Sequence, residues 1–216
     1  CDNMRFAGHG VVDGALREKL CWPQALVYPL PDEFSAVDGA MLEPLGVALH
    51  ALSLGHVLPG MSVGIFGCGP IGLMLVQLAR AAGAAKIIAT DRLANRLDAA
   101  RSFGATSTIM AHGSQENEEL DAVTNGEGID IAFEAAGENE AVESAILATR
   151  PGRQVILIGI PDDDRTVFPA SVARRKGLTL KLVRRMKHTY PRAIQMVQNG
   201  IVDVRSLVTH RFPLSE

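Results

Sequence analysis

Cysteine and aromatic residues are scarce in this chain: its 216 residues include three cysteines, one tryptophan and two tyrosines. Cys1, Cys21 and Cys68 are odd in number and widely spaced, which excludes the disulfide framework of a small secreted domain. The six histidines form no local pair at metal-ligand spacing. No long apolar run exists either. The most apolar stretch, from Ala40 to Leu54, is interrupted by Glu43, Pro44 and His50, so neither a membrane span nor a signal peptide is expected, and cytoplasmic residence follows as the expectation. The net charge of -3 comes with scattered basic residues, and the cluster Arg174, Arg175, Lys176 reads as a solvated helix end near its dipole, so no nucleic-acid partner is expected. Internal repeats and low-complexity segments are absent from the sequence.

With 47% hydrophobic residues, the chain can bury one full core and part of another. Its most informative feature is the run Gly67, Cys68, Gly69, Pro70, Ile71, Gly72, which closes an apolar strand, opens a helix and is followed 19 residues after Gly72 by Asp91. Glycines in that order, between strand and helix and with an acidic residue at the end of the next strand, form a dinucleotide-binding fingerprint. Gly67 permits the tight turn, Gly69 lets the backbone approach a pyrophosphate, and Gly72 lets helix and strand pack closely, while the helix N-terminus offers free N–H groups to the anion. Asp91 accepts hydrogen bonds from ribose hydroxyls but meets a 2′-phosphate as a like charge, at about 4 kcal/mol for about 4 Å and an effective dielectric near 20. NAD is therefore expected over NADP. Arg92 could pair with a phosphate, and is expected to stack near the adenine or face solvent instead. Asp91 also reads as a helix N-cap before the segment from Arg92 to Phe103, and the two roles can coexist.

Short apolar strands alternate with helical stretches after the fingerprint, which predicts a parallel sheet covered by helices on both faces. The strands are placed at Val63 to Gly67, Lys86 to Thr90, Thr106 to Ile109, Ile129 to Glu134, Gln154 to Ile158 and Leu178 to Val183. Helices are expected at Pro70 to Ala82, Arg92 to Phe103, Gln115 to Val123, Asn139 to Ala148, Pro169 to Lys176 and Tyr190 to Asn199. The fold class is α/β: a six-stranded, doubly wound Rossmann sheet with its ligand at the topological switch point. The first forty residues, rich in glycine and proline, read as turn-heavy β material, with a helix beginning near Pro44 and running to Leu54. Leu207 to Phe212 reads as a returning strand. Because the chain begins at Cys1 and stops soon after that segment, it is read as a fragment cut at both ends.

This layout resembles the zinc-containing medium-chain alcohol dehydrogenases, and within them the polyol branch typified by sorbitol and xylitol dehydrogenases. The resemblance is carried by Asp13, Gly14 and Ala15, by LPDEFSAVDGAMLEPLGVALHA, by GCGPIGL, by TDRLANRL and by LVTHRFPL near the end. It implies three parts: 1–42 as part of a GroES-like catalytic domain, 43–185 as the NAD-binding domain, and 186–216 as a return to the catalytic domain. It further implies that Gly67, Gly69, Pro70, Ile71, Gly72, Asp91 and Arg96 hold NAD, with Ala135, Ala136, Gly137, Ile158, Gly159 and Ile160 at strand ends beside the nicotinamide half. Glu43 resembles the glutamate beside the catalytic zinc, where it contacts the zinc-bound water or the substrate. From the residues alone, Glu43 before Pro44 is equally a carboxylate at a helix N-terminus. Arg185 falls where polyol dehydrogenases carry a substrate-contacting arginine, although Met186 departs from the tyrosine of sorbitol dehydrogenase. Cys1 resembles the last cysteine of a structural zinc site. The ligands of the catalytic zinc would lie outside this chain, whereas His50 and His56 are assigned to no metal.

The activity implied is NAD-dependent oxidation of a secondary alcohol of a polyol to a ketose, with the 216-residue chain alone binding NAD weakly and not turning over. A homodimer or homotetramer is expected, because an edge strand such as Leu178 to Val183 needs covering. A threonine dehydrogenase, a simple alcohol dehydrogenase and a non-catalytic NAD-binding module stay open. A zinc-free quinone reductase is disfavoured by Glu43, because that type generally lacks the glutamate and prefers NADPH.

Overall fold

A computed structural model describes residues 7–9, 11–186 and 188–214. Its centre is a six-stranded sheet of β1 (Ser62–Phe66), β2 (Lys86–Asp91), β3 (Ser107–Met110), β4 (Ile129–Glu134), β5 (Thr149–Leu157) and β6 (Thr179–Leu182). The strands lie in the order β3-β2-β1-β4-β5-β6 and every pairing is parallel. This is the expected doubly wound sheet. The strand order reverses between β1 and β4, which sets the topological switch point there.

Among the described residues seven α-helices accompany the sheet: α1 (Ala36–Gly55), α2 (Pro70–Ala81), α3 (Ala94–Phe103), α4 (Ser114–Thr124), α5 (Asn139–Ala148), α6 (Ala170–Lys176) and α7 (Tyr190–Gln198). Alternation along the strands distributes them over two faces. Val63, Ile65, Ile131, Phe133 and Ile156 pack with α1, α2, α3 and α7. Phe66, Ile88, Ile129, Ala132, Val155 and Leu157 face the other way, toward α4, α5 and α6. Burial on both faces explains why these strands read as continuous apolar runs. No helix among the described residues is long and apolar enough to cross a membrane.

Three expectations are corrected. The bridging helix starts at Ala36 rather than near Pro44, because Ser35 and Asp38 form a reciprocal capping box that fixes the start. Pro44 sits inside the helix, which forgoes one backbone bond there. Glu43 is therefore an exposed mid-helix residue, and its reading as a carboxylate at a helix N-terminus falls. The front region holds no strand among its described residues, only a short 3₁₀ turn at Gln24–Leu26 and one antiparallel bridge between His9 and Val12. A strand needs a neighbouring edge to pair with; the described residues of this stretch pair with neither edge of the sheet, and Val11, Leu16 and Val27 stand exposed. Likewise 207–212 is not a strand: a 3₁₀ turn at Arg205–Leu207 leads into irregular chain.

That turn is anchored firmly. Arg205 forks onto the fully buried Asp38 carboxylate, Nε to Oδ1 at 2.7 Å and Nη2 to Oδ2 at 2.8 Å. The last described stretch is thereby tied to the start of α1.

Candidate functional site

The sheet register aligns the strand ends in a row, since Phe66 pairs with both Thr90 and Glu134, and Glu134 pairs with Leu157. The next residue on each strand, Gly67, Asp91, Ala135 and Ile158, therefore emerges along one edge. A cavity of about 630 Å³ opens there, lined by Gly67, Gly69, Asp91, Arg96, Ala135 and Ala136 among others. Six expected cofactor residues thus converge on one wall.

The glycine run has separable roles. Gly67 holds φ at +99°, and a Cβ on it would stand 2.7 Å from the Ala136 nitrogen. A Cβ on Gly72 would stand 1.9 Å from the Gly67 carbonyl oxygen, so only glycine lets α2 approach the turn. Gly69 differs: it caps α2 at φ -68°, and a Cβ there would meet nothing within 4 Å. No protein atom requires a glycine at that point, yet it faces the cavity at the N-terminus of a helix whose first N–H groups lack intrahelical partners. An anionic diphosphate fits that cradle. Pro70 and Ile71 form the first turn behind it, with Pro70 at a position where its missing N–H costs nothing.

Asp91 is nearly fully buried at the end of β2. Its Oδ2 accepts the Cys68 N–H at 2.7 Å, its Oδ1 accepts the Leu93 N–H at 2.9 Å, and the guanidinium of Arg96 lies 3.6 Å from Oδ2. Each carboxylate oxygen has capacity for a further donor, as a ribose diol would require. Helix α3 is capped at Leu93, not at Asp91, so the N-cap reading of Asp91 gives way to a turn contact from two residues earlier. Arg92 is exposed, as expected, and its guanidinium pairs with the exposed Glu140 on the cavity rim.

The same wall carries Glu116, which is almost fully buried and accepts the Ser144 hydroxyl at 3.1 Å. Burial pushes its carboxyl above the ordinary range despite the hydrogen bonds from Thr90 and Ser144. Burial likewise pushes the Cys68 thiol up to about 12, aided by the nearby Asp91 charge. Gly137, Ile158, Gly159 and Ile160 adjoin the cavity without lining it: a Cβ on Gly137 would stand 2.8 Å from the Ile160 oxygen.

Glu43 and Arg185 are not on this wall. They flank a separate contact, where a Cβ on Gly46, one turn after Glu43, would stand 2.9 Å from Cβ of Met186, the neighbour of Arg185. Arg185 holds a left-handed φ of +59°, an uncommon conformation for a non-glycine residue. Tyr190 lies close to Glu43, and burial together with the charge of Glu43 raises its hydroxyl pKa. Cys1 lies outside the described residues. Among the described residues no three His, Cys, Asp or Glu side chains could hold a metal ion, so by themselves they do not fit a zinc site.

Glu134 escaped the sequence reading. A glutamate that closes an apolar strand just before Ala-Ala-Gly was the available signal, since a buried carboxylate survives only where hydrogen bonds satisfy it.

Comparison with known proteins agrees with this geometry. The sequence model of the family described as "Zinc-binding dehydrogenase" matches residues 70–199. The chain is 34% identical over 216 residues to a sorbitol dehydrogenase of Bacillus subtilis (strain 168), covering 100% of this chain and 61% of that protein. It is 34% identical over 220 residues to an L-idonate 5-dehydrogenase of Vitis vinifera, covering 100% of this chain and 60% of that protein. A crystal structure of an Escherichia coli oxidoreductase/dehydrogenase of unknown specificity superposes with a TM-score of 0.90 at 32% identity, over 97% of this chain and 60% of that one. The chain thus spans about three fifths of the length of these relatives.

Proposed function

Since this chain belongs to the zinc-binding dehydrogenase family, we propose that it binds NAD in the switch-point cleft of an oxidoreductase acting on a secondary alcohol of a polyol. One observation carries the reading. Gly69, whose missing Cβ leaves open space, and Asp91, whose carboxylate closes β2, line one cavity together. The first suits a diphosphate on the helix N-terminus and the second a ribose diol.

Bound NAD would supply the acceptor for a hydride. Gly67, Gly69 and the first turn of α2, with Pro70, Ile71 and Gly72, hold the diphosphate. Asp91 holds the ribose, with Arg96 keeping the local charge balanced. Ala135, Ala136 and Gly137 with Ile158, Gly159 and Ile160 border the nicotinamide half. The same reading takes 43–185 as the nucleotide unit, flanked by 1–42 and 186–216 as parts of a catalytic lobe, and places Glu43 and Arg185 toward the substrate. It also takes the protein as cytoplasmic and as a homodimer or homotetramer, with exposed Leu182 on the β6 edge as a surface to cover.

NAD is preferred to NADP on electrostatic grounds. A 2′-phosphate would meet Asp91 as a like charge, and Arg92 is engaged by Glu140. The 216-residue chain alone is expected to bind NAD weakly without turnover, so the test offers the intact protein NAD with sorbitol, xylitol, L-threonine or ethanol, while NADH binding is measured separately. Polyol-dependent NADH formation supports the reading, and turnover of threonine or ethanol alone moves it to another branch. NADH binding without turnover of any substrate favours a nucleotide-binding module, and failure to bind NADH overturns the reading.

A further inference from the structure

Past their carboxyl ends β4 and β5 give rise to two short loops, 135–137 and 158–160, and a single side chain lies between them. Glu134 is 1% exposed. Its Oε1 accepts the N–H groups of Ala136 at 2.8 Å and Gly137 at 2.7 Å, and its own carbonyl accepts those of Ile158 at 2.9 Å and Gly159 at 3.2 Å. Its Oε2 lies 2.7 Å from where a Cβ on Gly159 would stand. The loops also touch directly, because the same Cβ would fall 2.2 Å from the Gly137 nitrogen.

Such a carboxylate is costly. Burial raises its pKa, against four backbone N–H groups that pull it down, those of Gly137, Ala136, Gly159 and Glu138. An apolar residue could close the strand without that desolvation cost. What an apolar residue could not do is fix two peptide groups of one loop from the neighbouring strand end. The N–H groups of Ala136 and Gly137 point at Oε1, so in trans peptides the carbonyls of Ala135 and Ala136 point away from it. Ala135 and Ala136 are also the members of this loop that line the cavity.

We propose that Glu134 is a positioning residue that sets the 135–137 and 158–160 loops for the nicotinamide half of the dinucleotide, without touching the cofactor itself. This rests on the NAD reading above. The adenosine diphosphate half is held by Gly69 and Asp91 on the other side of the switch point, so Glu134 acts on one half of the ligand only.

The test compares NADH with ADP as ligands of the 216-residue chain, in the wild type, in Glu134→Gln and in Gly159→Ala. The first variant keeps the size but turns an NH₂ toward N–H donors, and the second pushes the same junction apart from the β5 side. In both variants NADH affinity is expected to fall about 10- to 100-fold, with ADP affinity kept within about twofold. ADP affinity doubles as a check on folding. Loss of both ligands in both variants would make Glu134 a residue of the fold alone and overturn the proposal, as would unchanged NADH affinity. A wild-type chain that binds neither ligand would instead overturn the NAD reading itself.

Discussion

Asp91 at the end of β2 accepts the backbone N–H of Cys68 at 2.7 Å, so the carboxylate that ends one strand also holds the glycine turn that ends its neighbour. Ribose recognition and diphosphate recognition are thereby built on one rigid unit. Replacing Asp91 with alanine strands the N–H groups of Cys68 and Leu93 and removes the ribose acceptor. NADH affinity should fall about 10- to 100-fold. NADPH affinity should fall less, because the like-charge penalty of about 4 kcal/mol disappears as well. Fluorescence titration with both nucleotides checks this, and an unchanged preference would contradict the role given to Asp91.

The two glycines that bracket Pro70 should fail in opposite ways. In Gly69→Ala the new methyl meets no protein atom, so thermal stability should hold while NADH binding is lost. In Gly72→Ala the methyl lands 1.9 Å from the Gly67 oxygen, and the strain should cost about 1–3 kcal/mol of stability. Melting curves and NADH titrations on the pair separate the two effects.

Asp38 gives the fold a defined pH response. The Arg205 guanidinium, followed by hydrogen bonds from Ser35, holds its carboxyl well below the ordinary carboxylate range despite burial. A depressed folded-state pKa stabilises above the unfolded value near 3.8, and that contribution is lost as pH falls below it. Asp38→Asn should therefore be less stable than wild type by about 1–3 kcal/mol at neutral pH, with the gap closing in acid. Urea denaturation across the acid range measures it. A gap independent of pH would show that the ion pair contributes nothing.

Thiol chemistry should discriminate sharply between Cys21, which is exposed, and Cys68, which is buried with its pKa pushed up to about 12. Since the thiolate is the reactive form, iodoacetamide followed by mass mapping should label Cys21 rapidly and Cys68 only after denaturation. Rapid labelling of Cys68 in the folded chain would contradict its packing against the Thr90 carbonyl.

Much of the fold was legible because its signals are local. Continuous apolar runs marked the strands, and the glycine spacing with Asp91 marked the turn. What failed was decided at a distance or hidden by a stronger cue. Pro44 suggested a helix start, but the Ser35–Asp38 capping box had already begun α1, and Arg205 reaches that box from 167 positions away. The β character of the front and of 207–212 rested on composition, and composition cannot say whether a partner strand stands alongside. Glu134 was missed because hydrophobic pattern reads a strand's interior, while its role lies in two backbone N–H groups beyond the strand's end. The exposure of Arg92 was legible, but its pairing with Glu140 of α5 was not, because the two lie 48 positions apart.

Whether one cleft holds NAD by Gly69 and Asp91 is decided by a crystal structure of the chain with NADH. The diphosphate is expected over the N-terminus of α2 at Gly69, with both ribose hydroxyls within hydrogen-bond distance of the Asp91 carboxylate. NADH bound elsewhere, or a ribose out of reach of Asp91, would contradict it.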